Sequence, residues 1–207
     1  MPSSKSGYDL IAPYYDDLAG LIFGNEIFDA QICFLKVVPT DGDVLILGGG
    51  SGWILAELFK LNPGCRVWYI DSSAKMIDLA IKKTKGKSNI IFICGTEVNI
   101  PAEIKFDAII TNFSLNTFLN ELYSEKIRFI SKCLKKKGVW LVSDFVETGK
   151  KRHQTLSFIM HLFFRWLTKH PNSRLINWEE IFNANLLNIK MEKSFYNGFI
   201  KTVIFQR

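Results

Sequence analysis

Val44-Leu45-Ile46-Leu47-Gly48-Gly49-Gly50-Ser51-Gly52-Trp53-Ile54-Leu55 is the stretch that decides the fold. Its first four residues are apolar without alternation, which suits a strand covered on both faces. Glycines then occupy positions 48, 49, 50 and 52, where the chain can turn tightly and a ligand can approach the backbone with no Cβ in the way. Trp53 to Leu61 reads as a helix, and the first amides of a helix are unpaired and carry a positive field. That arrangement suits an anionic or polar ligand group such as a phosphate or carboxylate. A dinucleotide loop has the spacing G-x-G-x-x-G/A. Counted from Gly48 its last glycine falls on Trp53, and counted from Gly50 it falls on Leu55. Bulk there disturbs close helix–strand packing. The spacing is G-x-G-x-G at Gly48, Gly50 and Gly52, and without a lysine the loop is not a P-loop.

Outward from this loop the same theme repeats. Asp43–Leu47, Cys65–Ile70, Ile90–Cys94, Phe106–Thr111 and Gly138–Phe145 are short apolar runs. Between them Trp53–Leu61, Ser73–Lys83 and Glu121–Leu134 read as helices. The chain closes with Lys190–Tyr196, Asn197-Gly198 and Phe199–Gln206, and Asn-Gly between two strand-like runs signals a hairpin. The pattern predicts an α/β fold: a doubly wound, mostly parallel seven-stranded sheet with helices on both faces and a C-terminal antiparallel hairpin. Asp9–Phe23 and Asn25–Val38 read as two helices before the core, and Gln154–Lys169 and Trp178–Leu187 as helices after it. With no repeat or linker, one domain over 1–207 is expected, with 1–40 as a helical cap and 147–185 as a helical segment covering a substrate site.

Composition agrees with a globular chain: 48% of the 207 residues are apolar and 22% charged, and 17 Phe, 6 Tyr and 5 Trp suffice for a large core. The four cysteines form no C-x-x-C pair, so neither a zinc site nor a disulfide scaffold is expected, and free thiols in a reducing, cytoplasmic setting are. Met1–Tyr8 has no apolar core of a secretion signal. The richest apolar run, Thr155–Leu167, is too short to span a bilayer and contains Arg165. A net charge of +6 favours anionic partners in general. Its densest part, Lys135–Lys137, is expected at a helix C-terminus, where cations suit the dipole, and no interleaved aromatics point to nucleic acid.

Asp71 closes the second run. A carboxylate there lies at the carboxyl edge of the sheet beside the glycine loop and can accept two hydrogen bonds from a ribose diol. It can equally serve as a turn or N-cap residue before Ser72-Ser73.

Together these residues resemble a class I S-adenosylmethionine-dependent methyltransferase of the small-molecule type, over nearly all of the chain. Gly48, Gly50 and Gly52 resemble the loop that holds the methionine part of that cofactor, and Asp71 matches the acid on the ribose. Asp71-Ser72-Ser73-Ala74-Lys75-Met76 looks like the family's D-x-S-x-x-M, with Met76 against the adenine. Cys94–Pro101 resembles the segment bordering the adenine, where Thr96 or Glu97 faces the adenine amino group. Asn112 and Phe113 fall where the family's chain passes the transfer centre, and Leu134–Phe145 resembles its fifth-strand motif. Ala12-Pro13-Tyr14-Tyr15-Asp16 looks like the A-x-x-Y-D that caps the cofactor, with Tyr15 as its tyrosine. The resemblance implies S-adenosylmethionine as cofactor and methyl transfer to a small-molecule acceptor. Ile46 stands where the family usually has an acid, and Asn116-Thr117 where relatives often have histidine. A cofactor-binding protein with weakened chemistry is therefore an alternative, and so is a nicotinamide-dependent oxidoreductase, against which Trp53 speaks. Candidates for a base are His153, His161, His170 and Asp144, none singled out as catalytic. The segment from Gln154 to Trp178 carries Phe158, Met160, Phe163, Phe164, Trp166 and Trp178. It reads as a helix on the core or on a second copy of the chain, which leaves a homodimer open, as an apolar lid over a hydrophobic or aromatic substrate, or as a membrane-surface helix.

Overall fold

The computed structural model describes residues 8–85, 87–115, 123–168, 175–185 and 187–206. The apolar runs form β1 (Asp43–Leu47), β2 (Arg66–Asp71), β3 (Ile90–Cys94), β4 (Phe106–Asn112), β5 (Leu134–Phe145), β6 (Asn188–Phe195) and β7 (Ile200–Gln206). They make one seven-stranded sheet in the order β3-β2-β1-β4-β5-β7-β6. The first five strands run parallel, and β7 is antiparallel to both β5 and β6. The order reverses direction between β1 and β4, the place where an open α/β sheet binds its ligand beyond the carboxyl ends of the strands. The helices are α1 (Tyr8–Ile11), α2 (Tyr15–Phe23), α3 (Glu26–Ile32), α4 (Trp53–Leu61), α5 (Ala74–Thr84), α6 (Tyr123–Lys132), α7 (Lys151–Thr168) and α8 (Trp178–Ala184).

β1 shows why its run does not alternate. Val44 and Ile46 pack with Ile54, Leu55 and Leu58 of α4 and with Ile77 and Ala80 of α5. Leu45 and Leu47 point the other way, into a cluster with Ile127 and Ile130 of α6 and Trp178 and Phe182 of α8. Each face of the strand meets helices, so both residue sets are apolar. A third cluster joins Phe23 of α2 and Ile27 and Ala30 of α3 to Phe145, Phe195, Phe199 and Ile200, at the carboxyl end of β5 and the hairpin.

The structure departs from the sequence reading in three places. The Lys135–Lys137 run does not end a helix. α6 stops at Lys132 and the run opens β5, where Lys135 pairs with Asp107 at 2.7 Å and Asp43 at 3.6 Å and the register with β4 shifts. Burial opposes ionisation of Asp107, but the Lys135 ammonium and the Asp43 amide outweigh it and hold its carboxyl below the usual range. The N-terminal segment is also more broken than two helices: Ala12–Tyr14 and Leu35–Val37 are 3-10 turns. Finally, Asn197-Gly198 is not a two-residue turn. Phe195 pairs with Ile200, so four residues connect the strands, with Tyr196 and Asn197 both left-handed at φ 48 and 54. The Tyr196 amide donates to the Glu26 carboxylate and its hydroxyl to the Ile22 carbonyl, so tertiary anchoring to α2 and α3 overrides the local turn preference. β6 forms one border of the sheet, exposed along its length except at Phe195, and its register with β7 shifts between Ile189 and Met191.

α8 is short, and buried aromatic contacts hold it. The Trp178 indole donates to the Phe145 carbonyl at 3.1 Å, and the Phe182 ring lies 4.4 Å from Phe205 and 4.6 Å from Trp140. Phe182→Ala is therefore expected to lower unfolding free energy by about 3–5 kcal/mol. Chemical denaturation measures this, and a change within error of wild type would contradict the packing described.

Candidate functional site

The glycine loop leaves β1 and is fastened to β2 by backbone. The amides of Gly48 and Gly49 donate to the Ile70 carbonyl at 2.8 and 3.3 Å, and the Tyr69 hydroxyl donates to the Gly50 carbonyl at 3.0 Å. Two glycines of the loop do different work. Gly52 has φ 81, and a Cβ there would lie 2.6 Å from Ala80, so its bare backbone lets α4 approach α5. Gly50 has φ 66, and no atom of the described residues lies within 4 Å of where a Cβ would be: its backbone borders open space. Trp53 does not fill that space, because its ring packs 4.7 Å from Phe28 of α3.

Asp71 Oδ2 accepts the Gly50 amide at 2.8 Å, and Oδ1 accepts the Ser73 amide at 2.9 Å. The turn role read from the sequence is thus real, while Ser73, not Asp71, is the N-cap of α5, accepting from the Met76 amide at 3.2 Å. A carboxylate oxygen has room for more than one donor. Burial pushes the Asp71 carboxyl above its usual range, against the pull of the Ser73 and Gly50 amides, and the nearby Asp9 charge adds to the rise. Ser72 is exposed at the rim and Met76 is buried below it. At the end of β3, Thr96 is exposed and Glu97 is buried, its carboxylate paired with Lys126 at 2.8 Å.

The exit of β4 is a strained turn. Phe113 has φ 51, a conformation that costs a residue with a side chain about 1–2 kcal/mol. Its neighbours hold it: the Phe113 amide donates to the Ser143 carbonyl at 2.7 Å, the Ser114 hydroxyl to the Leu47 carbonyl at 3.2 Å, and the Leu115 amide to Asp144 Oδ2 at 3.0 Å. Asp144, fully buried, also accepts the Phe145 amide at 2.8 Å, so it braces this turn. Just before the turn, Gln31 donates its amide to the Ile27 carbonyl and so presents Oε1 to Asn112 Nδ2 at 3.4 Å. Among the described residues, that leaves Asn112 Oδ1 buried with no hydrogen-bond partner.

The N-terminal segment closes over the loop. Asp16 Oδ2 accepts from the Ser51 hydroxyl at 2.6 Å and from the Lys83 ammonium at 2.7 Å, and Lys83 also reaches Ser51 at 3.0 Å. The Ser73 hydroxyl donates to Asp9 at 2.6 Å. Tyr15 lies within this cover. Burial, then the charges of Asp16, Asp144 and Asp71, push its phenol far above the ordinary value, so it stays a neutral hydroxyl facing acids from both strand ends.

The sequence-derived residues on β1, β2 and the N-terminal segment therefore converge: Tyr15, Gly48, Gly50, Gly52, Asp71, Ser72 and Met76 share one neighbourhood. Asn112 and Phe113 follow at the end of β4, and Thr96 and Glu97 come just after β3, whose Cys94 pairs with Asp71. Sequence reasoning missed Tyr69, although it shares the face of Asp71 by the two-residue strand period. It also missed Asp9, Ser51 and Lys83, and it quoted Ser73 within D-x-S-x-x-M without giving it a role. The Asp9–Ser73 and Asp16–Lys83 partners are 64 and 67 residues apart, and nothing local announces them. His153 is buried, 2.7 Å from the Thr148 hydroxyl and 4.9 Å from the Phe199 ring, and burial with Lys150 and Arg152 holds its pKa below the ordinary value. Ile46 is part of the core behind β1. Asn116, Thr117 and His170 lie outside the described residues, as do the side chains of His161, Phe163, Phe164 and Trp166.

Removing the Ser51 hydroxyl tests the cover. Ser51→Ala is expected to speed amide exchange across Tyr15–Phe23 and to lower stability by about 1–3 kcal/mol, the worth of a hydrogen bond to a charged group. Unchanged exchange in that helix would mean that Asp16 does not hold it.

A family model described as a methyltransferase domain matches residues 44–138. Demethylmenaquinone methyltransferase of Thermotoga maritima is 29% identical over 151 residues, covering 70% of this chain and 62% of its own length. Malonyl-[acyl-carrier protein] O-methyltransferase of Priestia megaterium is 29% identical over 139 residues, covering 67% of this chain and 50% of its own. The chain thus spans from half to about three fifths of these curated relatives. Among solved structures, an O-methyltransferase family protein from Burkholderia thailandensis superposes with a TM-score of 0.74 at 17% identity, over 95% of this chain and 59% of that one. 1,6-Didemethyltoxoflavin-N1-methyltransferase of the same organism, solved with 1,6-didemethyltoxoflavin and S-adenosylhomocysteine, gives 0.64 at 16%, over 96% and 84%. Identities this low speak for the fold alone.

Proposed function

We propose that this chain, a member of the class I S-adenosylmethionine-dependent methyltransferase family, binds this cofactor over the joined Gly50 and Asp71 and methylates a small apolar or aromatic acceptor. One observation carries the reading: the open backbone at Gly50 and the Asp71 carboxylate are directly bonded, at 2.8 Å, on the edge where such sheets bind ligands.

The residues fit the cofactor. Asp71 is an acceptor for sugar hydroxyls. Met76 is a polarisable apolar surface for a flat ring. The unpartnered Asn112 oxygen suits an ammonium or hydroxyl donor, since buried acceptors left unpaired are costly. Gly48 and Gly52 shape the loop, Ser72, Thr96 and Glu97 border the ring side, and Tyr15 and Phe113 close the site from the cap and from β4. When bound, the sulfonium supplies an electrophilic methyl group for direct displacement. The chain's contribution is alignment in a dry pocket. Asp144 and His153 serve as braces, so neither is assigned as a base. For the acceptor, Leu156 and Met160 of α7 pack on the Phe145–Phe199 cluster beyond β5, which supports α7 as an apolar cover. The neighbour holding 1,6-didemethyltoxoflavin is a precedent for a flat aromatic acceptor on this fold.

Thermal shift tests the cofactor. S-Adenosylhomocysteine at about a hundred times its Kd should stabilise the protein by about 2.7 kcal/mol, and NAD should not. The reverse pattern would overturn the proposal. Gly50→Ala should fold, losing about 1–2 kcal/mol from its left-handed backbone, yet lose the response to S-adenosylhomocysteine. Gly52→Ala should destabilise the fold more, because its Cβ meets Ala80.

The raised Asp71 pKa gives a pH dependence with a definite sign. Sugar hydroxyls donating to the carboxylate favour its ionised form and draw the pKa down. Binding therefore releases a proton when the pH is near the raised value, and affinity is full above it and falls as pH drops through it. Calorimetry in buffers of different ionisation heat reads that proton. Binding with no proton release and flat pH dependence would remove Asp71 from the site.

A further inference from the structure

Between Leu156 and Leu162, α7 carries apolar side chains both inward and outward. Leu156 and Met160 turn inward onto the cluster of Phe145 and Phe199. Outward, Phe158, Ile159 and Leu162 are 64%, 56% and 42% exposed. A surface helix normally turns charged or polar residues outward, so this face has something further to bury against. Cations head the same helix. Lys151 and Arg152 begin it, the Arg152 guanidinium lies 5.7 Å over the Tyr196 ring, and the adjacent Lys150 donates to the Asn197 carbonyl at 2.8 Å. Through its hydroxyl, Tyr196 is tied to the Ile22 carbonyl at 3.3 Å. That brings the end of α2 alongside, where Leu21 is 84% and Ile22 37% exposed. Glu26, a carboxylate at this corner, is engaged by the Tyr196 amide. One surface thus combines basic side chains with exposed apolar side chains from two elements.

Charge identifies what covers it. The helix sequence KRHQTLSFIMHLFFRWLT contains Lys151, Arg152 and Arg165 and no acid. Two copies meeting through the first turn of α7 would set Lys151 and Arg152 against the same two cations, on chains that each carry +6. An anionic lipid surface answers both halves of the patch: its headgroups pair with the cations and its acyl boundary takes Phe158, Ile159 and Leu162. No single helix among the described residues is long and apolar enough to cross a bilayer. We propose that the outer face of α7, with the adjoining end of α2, docks this protein peripherally on membranes rich in anionic phospholipid. The inference stands apart from the methyltransferase reading, since it uses neither the glycine loop nor Asp71.

The test is flotation of the full chain with phosphatidylcholine vesicles, with and without phosphatidylglycerol, alongside sedimentation velocity. The protein should float with phosphatidylglycerol vesicles, less so as salt rises, and stay behind with phosphatidylcholine alone. Replacing Phe158, Ile159 and Leu162 together by serine should weaken binding about tenfold or more. Lys151→Glu with Arg152→Glu should remove the preference for phosphatidylglycerol. All five residues are exposed or head the helix, so both variants should melt near the wild type and keep its response to S-adenosylhomocysteine, which reports separately on the cofactor site. Failure to float with phosphatidylglycerol vesicles overturns the proposal. So does binding that both variants leave intact, and so does a wild-type dimer that the serine variant dissolves, which would assign the face to a second copy.

Discussion

At the carboxyl end of β2 a half-buried carboxylate holds three stretches of chain together. Asp71 takes one amide from the loop after β1 and one from the start of α5, while Ser73, which caps that helix, reaches on to Asp9 in the N-terminal segment. Taking a charge out of water is unfavourable, and two backbone donors relieve the penalty only in part, as the raised pKa records. The joint is therefore both a structural tie and an unsatisfied acceptor. A ligand bearing hydroxyls completes it, and a groove without a ligand holds it at some expense in stability. The fastening of Gly48 and Gly49 to Ile70, and of Tyr69 to Gly50, keeps the loop in register with that charge.

The opposite wall is organised by strain instead of charge. Phe113 stands in a backbone conformation that a side chain disfavours, and three hydrogen bonds from β1 and β5 over-determine it. Such residues persist where neighbouring structure fixes them, and they gather at functional sites. The strand that leads into the turn carries Asn112, whose oxygen has no partner among the described residues. Asn112 ends β4 and Asp71 ends β2, the strands on either side of β1 at the switch point of the sheet.

Much of this was legible in the sequence because it is local. An unalternating run with a glycine cluster after it fixes a buried strand, a turn and a helix start, and the period of two sends Val44 and Ile46 to one side and Leu45 and Leu47 to the other. Asp71 could be placed because strand ends and loops on one edge of a parallel sheet must converge. What sequence could not supply is long-range. The lysines at 135–137 looked like a helix end, but they sit in β5, where Lys135 meets Asp107 and Asp43 across the sheet. Asn197-Gly198 looked like a tight turn, but Tyr196 is anchored to α2 and α3, which lengthens the connection. The clasp of Asp16 on Ser51 and Lys83 has no signature along the chain.

The border strand β6 has a consequence of its own. An unpaired strand edge offers a row of free amides and carbonyls on which another chain can assemble. Here the ladder slips between Ile189 and Met191, Glu192 is drawn to Lys201 at 2.9 Å, and the Lys193 ammonium sits 5.0 Å over the Phe195 ring. Irregular spacing and alternating charge make that rim a poor template for fibril growth, so the sheet can end with its last strand exposed to water.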